Sequence, residues 1–424
     1  MHIPETVKTY GLILVIIIAS FWLASRFIEP TPPNTLTIAA GAPNGQYYAF
    51  AQRYKEILAT NNIKVNILTT AGSQENAALI AAGKADIGFI QSGLATDANK
   101  DAIESLGSLY YEPLWIFTNA TTINTAQRDI QQLVGKMISI GTEGSGTKVI
   151  ALKLLELNNM VSTTTPVLKS GDDAVLALKN REIDAAFFVG RPDSANINTL
   201  LRDPDLSLLS FDRAAGYTRL LPYLSAVTLN QGVIDMALNM PQKDHRVLSP
   251  VAQLATRADF NGALKTLLVQ TAFKIHGDAD LFAAKGRFPT VDYADFPIAE
   301  EAARYFKYGP NLLQRFLPFW LADMISRMVV MLIPLIGIML PLMKLASPTY
   351  KWRTRSKIYK WYKHLKKMED AAQQSDTELQ TTLAALEKID RDVKKTQVPL
   401  SYADELYTLR MHIKMIRERL DGAA

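Results

Sequence analysis

The densest run of chemistry-bearing residues is Met137-Ile-Ser-Ile-Gly-Thr-Glu-Gly-Ser-Gly-Thr147, with Gly141, Gly144 and Gly146 close together. An apolar stretch enters this Gly/Ser/Thr loop, and the spacing over Lys148 to Leu157 predicts a helix leaving it. Backbone N–H groups at a helix start, reinforced by the helix dipole, favour an anion, and the hydroxyls of Ser145 and Thr147 add donors. The loop approaches a phosphate-binding P-loop, but Thr147 and Lys148 stand where Lys and then Ser/Thr are required, so a nucleotide is excluded. A carboxylate is the ligand expected at this helix start, held by its amides, Gly146 among them, and the Ser145 and Thr147 hydroxyls; the plain alternative is that Ser145 or Thr147 only caps the helix. Catalysis finds no such pattern. The five histidines are scattered and the chain has no cysteine, which also removes disulfides and thiolate metal sites. Gly144-Ser145-Gly146 is not a nucleophile elbow, because Glu143 occupies the place of the first outer glycine. Asp172-Asp173 reads as acids favoured at a helix start. The expectation is a binding protein without enzymatic activity, metal or cofactor.

These residues need strands and helices to hold them. Leu36-Thr-Ile-Ala-Ala40 suits a buried strand, Gly41 to Gly45 a turn, and Gln46 to Thr60 a helix with Tyr48, Phe50, Ala51, Tyr54, Ile57 and Leu58 at helical spacing. Val65 to Thr70 reads as the next strand, so the order is that of an α/β domain. Of the adjacent Tyr47 and Tyr48, one is expected in the core and the other in a cleft. Two further polar clusters stand at strand ends, Thr70-Ala-Gly-Ser-Gln-Glu-Asn76 and Gln91-Ser92-Gly93. The segment Asn76 to Ile90 also resembles Asp173 to Val189: a short helix, a polar turn, an Asp (Asp86 or Asp184), then an apolar strand. Two lobes of similar construction with a cleft between them are expected, and such clefts take small ligands.

At 424 residues the chain exceeds one ordinary domain and suggests about two to three, at roughly 150 residues each. With 48% hydrophobic residues it is neither disordered nor fibrous. Seventeen uncharged residues separate Lys8 from Arg26, and sixteen separate Arg327 from Lys344. Each is read as a membrane span, the second lengthened by Phe316 to Ile325 with Trp320 near the interface; the alternatives are a cleaved signal peptide for the first and a buried core helix for the second. Nine Lys/Arg and no acid follow between Lys344 and Lys367, which marks a cytoplasmic end and a surface for anionic lipid heads. Residues 344–424 carry a net charge of +6 and the rest of the chain −1, so the basic balance is local and indicates no nucleic-acid partner. The organisation expected is 1–33, an anchor and a Pro-rich linker; 34–310, the extracytoplasmic domain; 311–344, a second span; and 345–424, a cytoplasmic tail. That places the protein in a bacterial inner membrane with both termini inside.

In order along residues 35–300, Gly-x-x-x-Gly-x-Tyr-Tyr, Thr-x-Gly-Ser-x-Glu-Asn, Gly-Lys-Ala-Asp-Ile-Gly-Phe-Ile-Gln-Ser and Ile-Gly-Thr-Glu-Gly-Ser-Gly-Thr resemble the TAXI family. These are the solute-binding proteins of TRAP (tripartite ATP-independent periplasmic) transporters. The resemblance implies an α/β, two-lobed type II periplasmic-binding-protein fold that closes on a small organic acid or amino acid. It also implies permease subunits as partners. Carried onto this sequence, it makes Tyr48, Ser73, Asn76, Gln91, Ser92, Thr142, Ser145 and Thr147 ligand contacts. It reads Tyr111-Glu-Pro-Leu-Trp-Ile-Phe117 as the first crossing between lobes and Leu220 to Leu229 as the return. The chain departs from the family in its second apolar segment and its tail.

In that tail Leu379, Leu383, Leu386, Ile389 and Val393 form one apolar seam, and Leu406, Leu409, Ile413, Ile416 and Leu420 another. A helical hairpin is expected, serving self-association or signalling. Two functions follow: uptake of an anionic solute through a TRAP-type permease, or a sensor relaying lobe closure to the tail.

Overall fold

In the computed structural model residues 11, 14–22, 31–121, 129–372 and 379–421 are described. The chain divides into two compact units, one spanning Pro30–Met324 and the other comprising Met1–Glu29 with Ile325–Ala424.

The larger unit is built from two five-stranded sheets. The first contains β1 (Thr35–Gly41), β2 (Lys64–Thr69), β3 (Ile87–Gln91), β4 (Ile103–Tyr111) and, from much later in the chain, β12 (Val251–Arg257). Their order is β2-β1-β3-β12-β4, with β1 parallel to β2 and β3 and β12 antiparallel to both of its neighbours. The second contains β5 (Leu114–Asn119), β6 (Met137–Ser139), β7 (Thr165–Val167), β8 (Ala185–Val189) and β9 (Leu206–Leu208) in the order β7-β6-β8-β5-β9. Here too the first three strands in that order are mutually parallel and the fourth, β5, is antiparallel to its neighbours. β10 (Ser225–Leu229) and β11 (His245–Ser249) form a separate antiparallel ribbon. The strands are short apolar runs because helices cover the sheets, which buries β3 and β5 along their whole length.

The internal resemblance reappears in the hydrogen bonding. Asp86 precedes β3, donates its N–H to Thr37 O at 3.0 Å and accepts from Thr37 N through Oδ2 at 2.8 Å. Asp184 precedes β8 and makes the same pair with Met137, at 2.8 and 2.9 Å. Each Asp thus clamps its strand to the central parallel neighbour, which is why an acid stands at both positions.

The lobes are joined through Glu112-Pro113, between β4 and β5, as expected. The return is different. Leu220 to Leu229 becomes the end of the helix Ala214–Leu220 and then β10, and the chain re-enters the first lobe through Pro250, between β11 and β12. The two crossings lie side by side: Tyr111 pairs with Val251, and Glu112 N donates to Pro250 O at 2.9 Å. Each places a proline, which cannot donate to a ladder, at the point where a strand leaves one sheet for the other.

The large unit runs beyond the expected boundary at 310. Phe319 is buried in the first lobe's core, Trp320 packs against it, and the Trp320 indole N–H donates to Asn61 O. The flanking segments do not appear as spans: among the described residues no helix is long and apolar enough to cross a membrane. The run Met328–Met343 lies within the helix Phe319–Ala372, and sixteen residues of helix rise only about 24 Å against a hydrocarbon core of ~30 Å. The first apolar run falls partly outside the described residues.

The C-terminal region is a three-helix assembly rather than a hairpin alone. Ile358 and Leu365 of the long helix are buried with Leu386, Ile389 and Val393 of the helix Leu379–Lys394. Leu409, Ile413 and Leu420 of the helix Ala403–Asp421 complete that core, so the two apolar seams meet each other and a third helix.

Candidate functional site

A cavity of about 610 Å³ lies between the two lobes. Its first-lobe wall is the end of β1 (Ala40, Gly41), the start of the helix Gln46–Ala59, the start of the helix Ser73–Ala81, and Gln91 at the end of β3. The second-lobe wall is the glycine loop up to Thr147, the start of the helix Gly171–Lys179, the end of β8, and residues 194–197. Strand ends and helix starts therefore face one another, which directs unpaired backbone N–H groups into the space.

The glycine loop is shaped by its own turns. Gly141 and Gly144 have φ of +91° and +76°, a region that disfavours side chains. Ser145 is the N-cap of the helix Gly146–Leu157: its Oγ accepts from Lys148 N at 3.2 Å and donates to Thr142 O at 2.6 Å. The Ser145 hydroxyl thus caps the helix and also borders the cavity. The amides of Gly146 and Thr147 in the same turn have no intramolecular acceptor among the described residues. The lobes touch here directly, with Glu75 N donating to Gly144 O at 3.2 Å and Gln91 Nε2 to Gly146 O at 3.3 Å. A Cβ at 146 would stand 2.6 Å from Gln91 Oε1, so a side chain there must displace the Gln91 amide that joins the lobes.

Of the residues expected to contact a ligand, Ser73, Gln91, Thr142, Ser145, Gly146 and Thr147 line the cavity. Tyr48, Asn76 and Ser92 do not. Tyr48 packs against the first lobe's core, and its neighbour Tyr47 lines the cavity instead. Asn76 is fully buried, donating to Phe89 O at 2.8 Å and accepting from Thr70 Oγ1 at 2.6 Å, so its amide ties the turn to β3. Ser92 belongs to the crossing region, where its Oγ donates to Tyr223 O and accepts from Val251 N, both at 3.0 Å.

The residue missed from the sequence is Glu112. It lies on the first crossing, is 3% exposed, and lines the cavity. The Tyr47 hydroxyl donates to its Oε2 at 2.8 Å and pairs with Ser73 Oγ at 3.0 Å, while Ser73 Oγ also accepts from Gln91 N at 3.0 Å. Burial pushes the Glu112 carboxyl up to about 8, with the Tyr47 hydrogen bond opposing the rise. Tyr47 is raised well above its ordinary value by its own burial and by the neighbouring Glu112. A signal existed: Glu112 is a lone carboxylate inside the apolar run Leu109 to Phe117.

Basic residues lie elsewhere. Arg53 and Arg191 line a second cavity of about 240 Å³ beside Phe50, Tyr110 and His276, where Arg191 is engaged by Asp193 at 3.1 Å and Asp280 at 3.4 Å. Among the described residues no group of three or more His, Asp or Glu could hold a metal ion.

The cavity can therefore receive a small solute through amides, hydroxyls and one buried carboxyl. Residues 38–274 match the model of a family described as the NMT1-like family. No curated protein matches the chain in sequence. Among solved structures, a protein of Bordetella bronchiseptica is 15% identical, with 67% of this chain and 100% of that one covered and a TM-score of 0.45. The amino acid ABC transporter substrate-binding protein AbpA of Streptococcus pneumoniae, bound to L-arginine, is 15% identical over 57% of this chain and 89% of that one, with a TM-score of 0.37. The CcmR regulatory domain of Synechocystis, in complex with 2-PG, is 11% identical over 57% and 98%, with a TM-score of 0.39.

Proposed function

The chain belongs to the NMT1-like family, and on that footing we propose that its larger unit is a solute-binding receptor that takes a small carboxylate-bearing organic solute between its lobes. The cavity carries this reading. It is about 610 Å³, is walled by both lobes, and lies where strand ends and helix starts converge. The open amides of Gly146 and Thr147, at the start of a twelve-residue helix, are where the carboxylate binds. Calorimetric titration of the full-length chain with amino acids and mono- and dicarboxylates tests it. Saturable binding that Gly146→Val weakens is the expected result, and binding indifferent to that substitution contradicts it.

Within that reading we assign the receptor to uptake of the TRAP type, with separate permease subunits as partners, as the resemblance to the TAXI family implies. Attachment to a bacterial inner membrane is part of the same proposal. Its support is the uncharged run between Arg327 and Lys344, on which Val329, Ile336 and Leu340 are exposed, and the basic stretch that follows, suited to anionic lipid heads. Fractionation of cells expressing the full chain, with protease applied from the outside, checks the placement.

A second reading is a sensor, favoured by the C-terminal assembly having its own core of Leu386, Val393, Leu409 and Ile413. Copies would associate through the exposed Tyr407, Met411 and Met415, one turn apart along one helix. Deleting residues 345–424 separates the two: uptake kept with a signalling response lost supports the sensor, and uptake lost supports a transport role for the tail.

A further inference from the structure

Glu112 is a buried carboxyl that meets no cation among the described residues. Its Oε2 accepts the Tyr47 hydrogen bond, and no protein group among the described residues partners Oε1. The titratable groups around it are Tyr47 from the helix Gln46–Ala59, Tyr110 from β4, and, across the cavity, Asp172 and Asp173 at the start of the helix Gly171–Lys179. No Lys, Arg or His lines this cavity among the described residues. Arg191 stands 5.7 Å from the Tyr110 ring centre, in the smaller cavity, and is engaged by Asp193 and Asp280.

A ligand with only negative charge would face three carboxyl groups here, Asp172, Asp173 and a Glu112 that burial keeps protonated, and would bring no cation to Glu112. Against them stand helix-start amides, each end worth about half a charge, and two of those carboxyls already offset one such end. An ammonium or guanidinium fits what is left open. It would donate N–H groups to Oε1 in a charge-assisted bond and cancel a charge that burial otherwise makes unfavourable.

Resting on the receptor reading and narrowing its ligand, we propose that Glu112 recognises a cationic nitrogen, so that the solute is an amine-bearing acid and not a simple mono- or dicarboxylate. The carboxylate end lies at the Gly146 and Thr147 amides and the nitrogen at Glu112. The carboxyl, held up at about 8 by burial, keeps its proton at neutral pH while the site is empty. A cationic nitrogen drives that proton off, so binding releases close to one proton to solvent.

The test is calorimetry on the full-length chain at neutral pH, in phosphate and in Tris, whose different ionisation enthalpies report proton exchange. Alanine, glutamine and glutamate are compared with propionate, glutaramate and glutarate. The expected result is an amino acid binding at least about tenfold tighter than its deaminated partner, with proton release, and both properties lost in Glu112→Gln. Should that variant fold poorly, proton release by the wild-type chain still decides. Equal binding of the deaminated acids overturns the inference and leaves the receptor reading intact. So does proton uptake or no exchange, which would mean that Glu112 stays protonated against the ligand. Binding by no member of the panel removes both.

Discussion

Replacing Glu112 by Gln should remove a pH dependence of stability whose size follows from the site. The glutamine keeps the shape and an acceptor for the Tyr47 hydroxyl but does not titrate. The wild-type carboxyl has a folded value of about 8 against an ordinary 4.5. Between those two values the native state holds a proton that the unfolded chain has released, so stability falls as pH rises. The whole effect, complete above pH 8, is on the order of 5 kcal/mol, and about 3 kcal/mol of it falls between pH 6 and pH 9. For a unit of this size 1 kcal/mol moves Tm by about 1.5–2 °C, so the wild-type chain should lose roughly 4–6 °C relative to the variant over that range. Thermal melts of both full-length chains by circular dichroism, from pH 5 to pH 9, read this directly. Other titrating groups are common to both chains and cancel in the difference. A difference in Tm that stays constant with pH, or that changes in favour of the wild type as pH rises, would refute the reasoning.

Four further outcomes follow from the same geometry. Gly146→Val should leave the fold intact but weaken ligand affinity at least about tenfold, because a Cβ at 146 meets Gln91 Oε1 at 2.6 Å and Ser73 Oγ at 3.2 Å; titration checks it. Ser145→Ala should cost about 1 kcal/mol in a denaturant melt through the lost cap, with affinity little changed. Tyr47→Phe should cost about 1–3 kcal/mol by stranding the buried Glu112 acceptor, whereas Tyr48→Phe should stay within about 0.5 kcal/mol, and the two melts compared test which tyrosine serves the cavity. Val393→Ala, at a fully buried position, should lower the stability of the C-terminal unit by about 1–3 kcal/mol while ligand titration of the full chain is unchanged.

Much of the fold could be read before the structure, where local pattern and tertiary demand coincide. β1 and the glycine loop are short apolar runs broken by residues whose positive φ only glycine adopts readily, and such signals are local. The likeness of the Asp86 and Asp184 segments was legible because both acids do one job, clamping a strand to its neighbour. The return crossing was not. Leu220 to Leu229 is apolar because Leu221, Leu224 and Leu229 are buried in hydrophobic clusters of the second lobe, and apolarity alone does not say which sheet a strand joins. A better signal was Pro250, matching Pro113 at the other crossing. The tyrosine pair was decided by helical phase: buried positions 47, 50, 51, 54 and 58 form one stripe, and residue 48 lies about 100° off it. Ser145 could not be assigned, since a capping hydroxyl and a ligand-binding hydroxyl occupy the same sequence position. Glu112 escaped because its importance lies in burial and in the absence of a cation along the cavity among the described residues, and both are set by segments far apart in the chain.

The claim that the solute sits between the lobes is tested most directly by amide hydrogen exchange on the full-length chain, with and without the tightest ligand of the panel at saturation. Slowed exchange in residues 71–76 and 91–92 of the first lobe, together with 142–149 and 171–175 of the second, is the predicted result. Protection confined to one lobe, or falling outside the cavity walls, would contradict it.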